Sequence, residues 1–249
     1  MAFRLLGPLR IGAAASDLPI GAGKTRALLA ALLLDANHPV PMDRLVEAMW
    51  QGRPPASAVA SLYNHMMRLR RILAPDHGDR IRAVPPGYVI RVDPGELDSD
   101  EFSALCAEGR GFARSGRWAE SSSALTAALD LWHGPLLADV PGVDRWHPKV
   151  QQLIEMRQQA LGGRIEADLC LGRHHEIIGE LRALTVDQPL REAFHRQLML
   201  ALYRADRRPE ALEVFQGLRR TLVDELGVEP SPSTQLLHRL ILTTAPANH

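Results

Sequence analysis

The chain has 249 residues, of which 46% are hydrophobic and 23% charged, a composition that excludes a disordered protein and is sufficient for two ordinary domains. The longest apolar run, Ala27 to Leu34, is too short to span a bilayer, and the N-terminal residues MAFRLLGPLRIG lack the pattern of a secretion signal. The net charge is zero, but residues 1–97 contain 12 basic and 8 acidic residues, whereas residues 98–249 contain 17 and 21. This split is typical of a nucleic-acid-binding module joined to a second domain.

The first segment of the chain, FRLLGPLRI followed by a Gly-Ala-rich turn and LPIG, predicts short antiparallel strands. Gly21 to Thr25 then has the Gly-Lys-Thr ending of a phosphate-binding loop, but Leu18 stands where such a loop needs its first glycine. We therefore interpret the segment as the start of a helix whose Lys24 and Arg26 contact a DNA phosphate. Nucleotide hydrolysis through Lys24 and Thr25 is kept as a competing hypothesis.

Three helices are predicted after this segment. Arg26 to Ala36 is apolar on nearly every side, which predicts the core helix of the domain. Met42 to Trp50 predicts a short second helix, Gln51 to Pro55 a turn, and Ser57 to Leu73 a longer third helix. A core helix, a short helix, a turn and a longer basic helix form a helix-turn-helix arrangement.

The third helix carries the strongest functional signal. No Asp or Glu occurs from Ala48 to Pro75, although four arginines do: Arg53, Arg68, Arg70 and Arg71. Five apolar residues at spacings of three and four predict its buried face: Val59, Leu62, Met66, Leu69 and Leu73. At about 100° per residue, small, polar and cationic residues gather on the opposite face: Ser57, Ala60, Ser61, Asn64, Arg68 and Arg71. Such a face fits a DNA major groove, whereas the alternative interpretation is a solvated basic surface.

A β-hairpin is predicted directly behind the third helix. Residues 79–92 contain two alternating runs around Pro-Pro-Gly. A hairpin in this place is a wing, and we expect Arg80 and Arg82 to contact the neighbouring DNA backbone or minor groove. Tyr88 is expected to pack beneath the wing and not to stack on a base.

A second, all-helical domain is predicted after the turn-rich and acidic hinge Asp93 to Asp98. The segments that begin at Gly172 and Asp206 lie 34 residues apart, which is the period of tetratricopeptide repeats. A stack of such helix pairs forms a groove for protein segments, so we expect partner binding or dimerisation. The helices are predicted at 98–115, 117–132, 144–172, 174–187, 190–205, 208–225 and 231–243.

The sequence gives no positive support for catalysis or metal binding. It contains no Gly-x-Ser-x-Gly elbow, and adjacent His174 and His175 would point about 100° apart on a helix. Cys106 and Cys170 lack metal-ligand spacing and predict reduced, buried thiols in a cytoplasm. We therefore expect a protein that is not an enzyme and has no cofactor or metal ion.

Two sets of motifs resemble one known family. FRLLGPLRI, LLLDANHPV, DRLVEAMW and SLYNHMMRLRRIL, followed by IRAVPPGYVI, are similar to the OmpR-type winged-helix domain of the Streptomyces antibiotic regulatory protein family. LWHGPLLADV, QPLREA, LMLALYR and DELGVEPS are similar to the bacterial transcriptional activation domain of the same family. Val59 and Met67 stand where the family more often has polar residues, so we expect a different base preference.

The resemblance implies a mainly α fold with a small β component: a winged helix-turn-helix domain at residues 1–97 and an all-α, tetratricopeptide-like domain at residues 98–249. It implies a sequence-specific transcriptional activator that binds direct repeats at promoters of antibiotic biosynthesis genes, as a homodimer or as side-by-side protomers. The partners would be double-stranded promoter DNA and RNA polymerase with its principal sigma factor. A cytoplasmic, nucleoid-associated protein without membrane contact is implied too. The competing hypothesis is a helical-repeat adaptor whose winged helix does not read DNA.

The predicted DNA contacts come from the third helix, the turn before it, the wing and the start of the core helix. We expect Ser61, Asn64 and Arg68 to contact base edges and Arg71 to contact a phosphate. The full set of predicted contacts is Lys24, Arg26, Arg53, Ser57, Ser61, Asn64, His65, Arg68, Arg71, Arg80 and Arg82.

Overall fold

The computed structural model describes residues 2–13, 16–21, 23–77 and 80–243. These residues form eleven α-helices and six short β-strands, which confirms the predicted mainly α fold with a small β component. Two compact units are present: residues 1–107 with 127–159, and residues 108–126 with 160–249. The predicted division at residue 97 lies inside the first unit, so the division into 1–97 and 98–249 stays a prediction.

The first unit begins with a small antiparallel sheet whose backbone is held by two carboxylates. The Asp98 carboxylate accepts hydrogen bonds from the amides of Leu5 and Leu6, each at 2.9 Å. The Asp139 carboxylate accepts one from the amide of Leu9 at 2.8 Å. Burial raises the pKa of Asp98, although the amides that it accepts from oppose the rise. The strands, in sheet order, are β1 (Phe3–Arg4), β2 (Arg10–Ala13) and β3 (Ser16–Asp17).

The helix-turn-helix arrangement is formed as predicted, by α1 (Lys24–Leu34), α2 (Met42–Trp50) and α3 (Ala58–His77). Every residue from Ala27 to Leu34 is buried, which confirms α1 as the core helix. The range of α2 agrees with the prediction, whereas α1 begins two residues before Arg26 and α3 continues to His77. α1 packs against both α2 and α3.

The two strands of the wing and a short strand before α2 form a second antiparallel sheet, with the strand order β4-β6-β5. Tyr88 is buried, which confirms that it packs beneath the wing. A Cβ atom at Gly87 would lie 1.9 Å from the carbonyl oxygen of Val40, so only glycine fits where β6 pairs with β4. The strands are β4 (Val40–Pro41), β5 (Ile81–Val84) and β6 (Gly87–Ile90).

The helix predicted at 144–172 is two helices, so that prediction is wrong. His147 separates them with an extended backbone, φ −133° and ψ 112°. The cause is Pro148, because proline disfavours a helical conformation in the residue before it. The neighbouring predictions 98–115 and 117–132 agree with the structure to within two residues. The four helices are α4 (Asp98–Arg114), α5 (Trp118–Asp130), α6 (Val143–Trp146) and α7 (Pro148–Cys170).

The second unit contains the predicted 34-residue repeat. Gly172 and Asp206 occupy equivalent turns and both have left-handed backbones, with φ of 78° and 59°. Two pairs of core residues also lie 34 positions apart and are all buried: Ile177 with Ala211, and Leu181 with Phe215. The last four helices are α8 (His174–Asp187), α9 (Glu192–Arg204), α10 (Arg208–Leu226) and α11 (Pro232–Thr243).

The environments of the two cysteines differ. Cys106 is buried as predicted, whereas Cys170 is exposed, which corrects the prediction of two buried thiols. Cys170 is the last residue of α7 and precedes the turn at Gly172, so it lies where the helix leaves the core. Among the described residues, no helix is both long enough and apolar enough to cross a membrane.

Candidate nucleic-acid interface

The buried face of α3 fixes which of its residues remain open. Leu62, Met66, Leu69 and Leu73 are buried, as their spacing predicts. Val59 is exposed and was wrongly assigned to this face; it lies in the first turn of α3, where Ala58 is buried in its place. α3 therefore packs against the rest of the first unit through residues that begin at Ala58, and the side opposite them is exposed.

The side of α3 opposite the buried face is polar and cationic. Asn64, Arg68 and Arg71 are exposed, and Ser61 is half-buried beside them. Ser57 is exposed just before the helix begins. Ala60 is exposed between Ser57 and Ser61, so this side of the first turns has small side chains and duplex DNA can approach it closely.

A side-chain hydrogen bond joins the start of α1 to the middle of α3, and cationic side chains lie near it. Thr25 Oγ1 lies 2.8 Å from His65 Nδ1, which ties the two helices together. Burial, and then the nearby charges of Arg68 and Lys24, lower the pKa of His65 below its ordinary value. Exposed Lys24 has its Nζ atom 4.6 Å from the centre of the Trp50 ring in α2, so its charge is held at the surface by a cation–π contact.

Arg26, which the sequence predicts to contact a phosphate, is paired within the protein, and its DNA contact stays a prediction. Its guanidinium forms an ion pair with the Asp139 carboxylate and donates to the carbonyl oxygen of Leu9 at 2.9 Å. Asp139 also accepts from the amide of Leu9. Arg26 therefore holds the first sheet in place, and its charge is already compensated within the protein.

The two arginines predicted at the wing have different environments. Arg82 is exposed on β5, where it is free to meet DNA. The Arg80 side chain is only 7% exposed and donates to both carboxylate oxygens of Glu96, at 2.6 and 2.9 Å. The pairing with Arg80 lowers the pKa of Glu96 to about 2. Because its charge is paired and buried, Arg80 is poorly placed to contact DNA, and that contact stays a prediction.

Arg70 has a structural role that the sequence reasoning missed. Its Nε atom donates to the carbonyl oxygen of Ile81 at 3.1 Å, and its guanidinium carbon lies 5.7 Å from the centre of the Tyr88 ring. Arg70 therefore fastens α3 to the wing and fixes Arg68 and Arg82 on one scaffold. Its position on the flank of α3, between the buried and the outward faces, could have indicated this role from the sequence.

The competing hypothesis of nucleotide hydrolysis is not supported by the start of α1. Thr25 is fully buried, and its hydroxyl group contacts His65, whereas a phosphate-binding loop needs this hydroxyl to reach a magnesium ion. Within the described residues, no group of three His, Cys, Asp or Glu side chains is arranged to hold a metal ion.

Arg53 is the last of the predicted contact residues whose side chain is accessible. It is exposed in the turn between α2 and α3. The structure thus brings most of the predicted residues to the accessible sides of α3, its N-terminal turn, the start of α1 and the wing: Lys24, Arg53, Ser57, Ser61, Asn64, His65, Arg68, Arg71 and Arg82.

Two family models match the chain in separate ranges. The model described as "Bacterial transcriptional activator domain" matches residues 97–242. The model described as "Transcriptional regulatory protein, C terminal" matches residues 21–90, a range that contains α1, α2, α3 and the wing. Both descriptions are of transcriptional regulators, and neither is of an enzyme.

Curated relatives match almost the whole chain. It is 38% identical to the regulatory protein DnrI of Streptomyces peucetius, over 99% of this chain and 93% of DnrI. It is 39% identical to AfsR of Streptomyces coelicolor, over 98% of this chain and 24% of AfsR. The transcriptional regulatory protein EmbR of Mycobacterium tuberculosis is 36% identical over 98% of this chain and 64% of EmbR, so the chain spans slightly less than two thirds of that relative.

A solved structure has the same fold over the same residues. The chain is similar to Mycobacterium tuberculosis EmbR in complex with a low-affinity phosphopeptide, with a TM-score of 0.93 and 35% sequence identity. The match covers 99% of this chain and 66% of the EmbR chain.

Proposed function

Because the chain belongs to the Streptomyces antibiotic regulatory protein family of transcriptional regulators, we propose that it is a sequence-specific DNA-binding transcriptional activator. The observation that carries the proposal is the outward side of α3, where Asn64, Arg68 and Arg71 are exposed in a stretch without acidic residues. A cationic helix without acidic residues up to Pro75 suits the major groove, because the groove admits a helix and its phosphates attract arginine.

In the proposed complex, α3 lies in the major groove and the wing lies beside it. Ser61, Asn64 and Arg68 contact base edges, and Arg71 contacts a phosphate. Lys24, Arg53 and Arg82 contact the backbone on either side of the groove, which their exposure supports. Arg26 and Arg80 are left out of the contact set, because their charges are paired with Asp139 and Glu96.

The proposal includes how the protein is arranged on DNA and what it recruits. Binding to direct repeats places protomers side by side and head to tail, unlike the palindromic site of a two-fold dimer. The helical second unit then contacts RNA polymerase with its principal sigma factor. Such a protein acts in the cytoplasm next to the chromosome, at promoters of secondary-metabolite genes.

Genome-wide mapping of DNA bound by the full chain tests the proposal. We expect bound sites to lie at promoters and to contain a short direct repeat. Binding spread without sequence preference would contradict the proposal, and so would the absence of bound DNA.

Arg68→Ala is expected to weaken specific binding by about 1–3 kcal/mol and to relax the preference at one base pair, because arginine binds guanine through two hydrogen bonds. The measurement is fluorescence anisotropy against the selected site and its three single-base variants at that position. Arg110→Ala is the control, since Arg110 is an exposed arginine on α4. Equal weakening by Arg68→Ala on all four bases would remove Arg68 from the base-reading residues.

Lys24→Ala is expected to reduce the slope of log affinity against log salt concentration by about one unit, because one phosphate contact is lost. Arg26→Ala is the matched variant from the same helix turn. It should leave the slope unchanged, since Asp139 already compensates its charge. The slope is read from binding isotherms at four salt concentrations. If Arg26→Ala changed the slope and Lys24→Ala did not, the assignment of these two residues would be reversed.

A further inference from the structure

Three large apolar side chains are exposed along α3 and have no role in the contacts described above. Val59, Tyr63 and Met67 are 49%, 50% and 50% exposed. They follow one another at four-residue intervals, so they form one row on the helix surface, here called the apolar stripe. A contiguous row of exposed apolar side chains is typical of a surface that meets a partner.

We propose that the apolar stripe binds the C5-methyl groups of thymines in the major groove. The proposal rests on the proposed function, since it requires α3 to lie in that groove. The thymine methyl is the one apolar group that standard base pairs display there, and apolar side chains recognise it by direct contact. The stripe would therefore add a preference for thymine to the hydrogen bonds made by Asn64 and Arg68.

The dimensions of the stripe set how many bases it can reach. Val59 and Met67 are eight residues apart, which is about 12 Å along a helix axis. That length equals about three to four base steps on one strand. Ala60 and Asn64 follow Val59 and Tyr63 directly in the sequence and are also exposed. The bases met by the stripe thus lie next to the bases that Asn64 and Arg68 contact.

The charge around the stripe favours DNA over another protein as its occupant. Exposed Arg68 and Arg71 lie on the same helix, and the chain from Ala48 to Pro75 contains no acidic residue. An apolar protein surface on the stripe would have to desolvate these arginines without compensating their charge. The major groove offers the methyl groups and the phosphates together, so it satisfies both parts of the surface.

Deoxyuridine provides the test, because it removes only the methyl group from a thymine. The full chain is measured by fluorescence anisotropy on its selected site and on copies with uracil at single thymine positions. Burying one methyl contributes about 0.8 kcal/mol, so each contacted thymine should lose about fourfold in affinity. Met67→Ala should lose that sensitivity at one position, and Val59→Ala at a position three to four steps away. Leu236→Ala is the control, since Leu236 is an exposed leucine on α11.

Each outcome of this double-mutant comparison decides the proposal. Uracil sensitivity that disappears only in the stripe variants supports it. The same uracil sensitivity in the native chain and in both stripe variants overturns it while leaving the proposed DNA binding intact. A selected site without thymine at these positions overturns it as well. Stripe variants that weaken binding to two repeats but not to one repeat would assign the stripe to contact between protomers. Absence of DNA binding by the native chain would remove the proposed function and this proposal together.

Discussion

Glu96→Ala is expected to lower the free energy of unfolding of the full chain by about 3 kcal/mol, because the buried Arg80 guanidinium loses its counter-ion. The Glu96 carboxylate accepts two hydrogen bonds from Arg80 and a third from the amide of Asp93 at 2.9 Å. Its side chain is 14% exposed, so water cannot replace these partners fully. The measurement is urea denaturation followed by circular dichroism.

The pH dependence of stability offers an independent readout of the same pair. The pKa of Glu96 is lowered to about 2, below its value in an unfolded chain. The pair therefore stabilises the fold above about pH 4.5, and this contribution is lost as the pH falls from there towards 2. Glu96→Gln should remove that part of the pH dependence, because glutamine does not titrate in this range.

Asp93→Ala is the matched control for this prediction. The Asp93 carboxylate lies 4.0 Å from Arg80 but is 80% exposed, and exposed ion pairs contribute about 0–1 kcal/mol. If Glu96→Ala were no more destabilising than Asp93→Ala, the buried pair would not contribute the stability predicted for it.

A triple variant, Lys24→Ala with Arg71→Ala and Arg82→Ala, is expected to show the largest loss of DNA binding. Each phosphate contact contributes about 0.9 to the slope of log affinity against log salt concentration, so the slope should fall by about 2.7. If the native chain and the variant bind equally at 1 M salt, this difference in slope makes the variant about 500-fold weaker at 0.1 M salt. All three side chains are exposed, so we expect the fold to be unchanged.

The control variant removes the same charge from elsewhere on the surface. Arg110, Arg220 and Arg239 are exposed in the second unit, and their replacement by alanine lowers the net charge by the same amount. We expect its salt slope to stay close to that of the native chain. Equal slopes in the two triple variants would mean that binding depends on net charge and not on the surface around α3.

Local patterns in the sequence were sufficient to predict most of the elements. The ranges of α2 and α8 agree with the predictions, because turn residues flank an amphipathic run in each case. The buried residues of α3 from Leu62 to Leu73 follow from helical periodicity alone. The break at His147 could also have been predicted, because Pro148 disfavours a helical conformation in the residue before it.

The partners of charged side chains could not be predicted in this way. Arg26 pairs with Asp139, 113 residues away, and no periodicity relates two positions so far apart. The exposed Lys24 and the paired Arg26 are equivalent in a sequence, because both are basic residues at the start of one helix. Only the folded structure of the first unit shows that Lys24 is exposed, whereas Arg26 is paired and holds the sheet.

The same contacts affect how the DNA-binding part should be studied. Asp98 and Asp139 hold the first sheet, and both lie beyond residue 97. A fragment that ends at residue 97 would lose these carboxylates, together with the backbone bond from the Leu137 amide to the carbonyl oxygen of Leu5. Binding experiments are therefore best made with the full chain.

The most direct measurement is the affinity of the full chain for its selected direct repeat and for a scrambled duplex of equal length, at two salt concentrations. A DNA-reading α3 predicts at least about a thousandfold preference for the repeat, with the affinities for both duplexes falling steeply as salt rises. Equal affinity for the two duplexes would contradict the account and favour an adaptor whose winged helix does not read DNA.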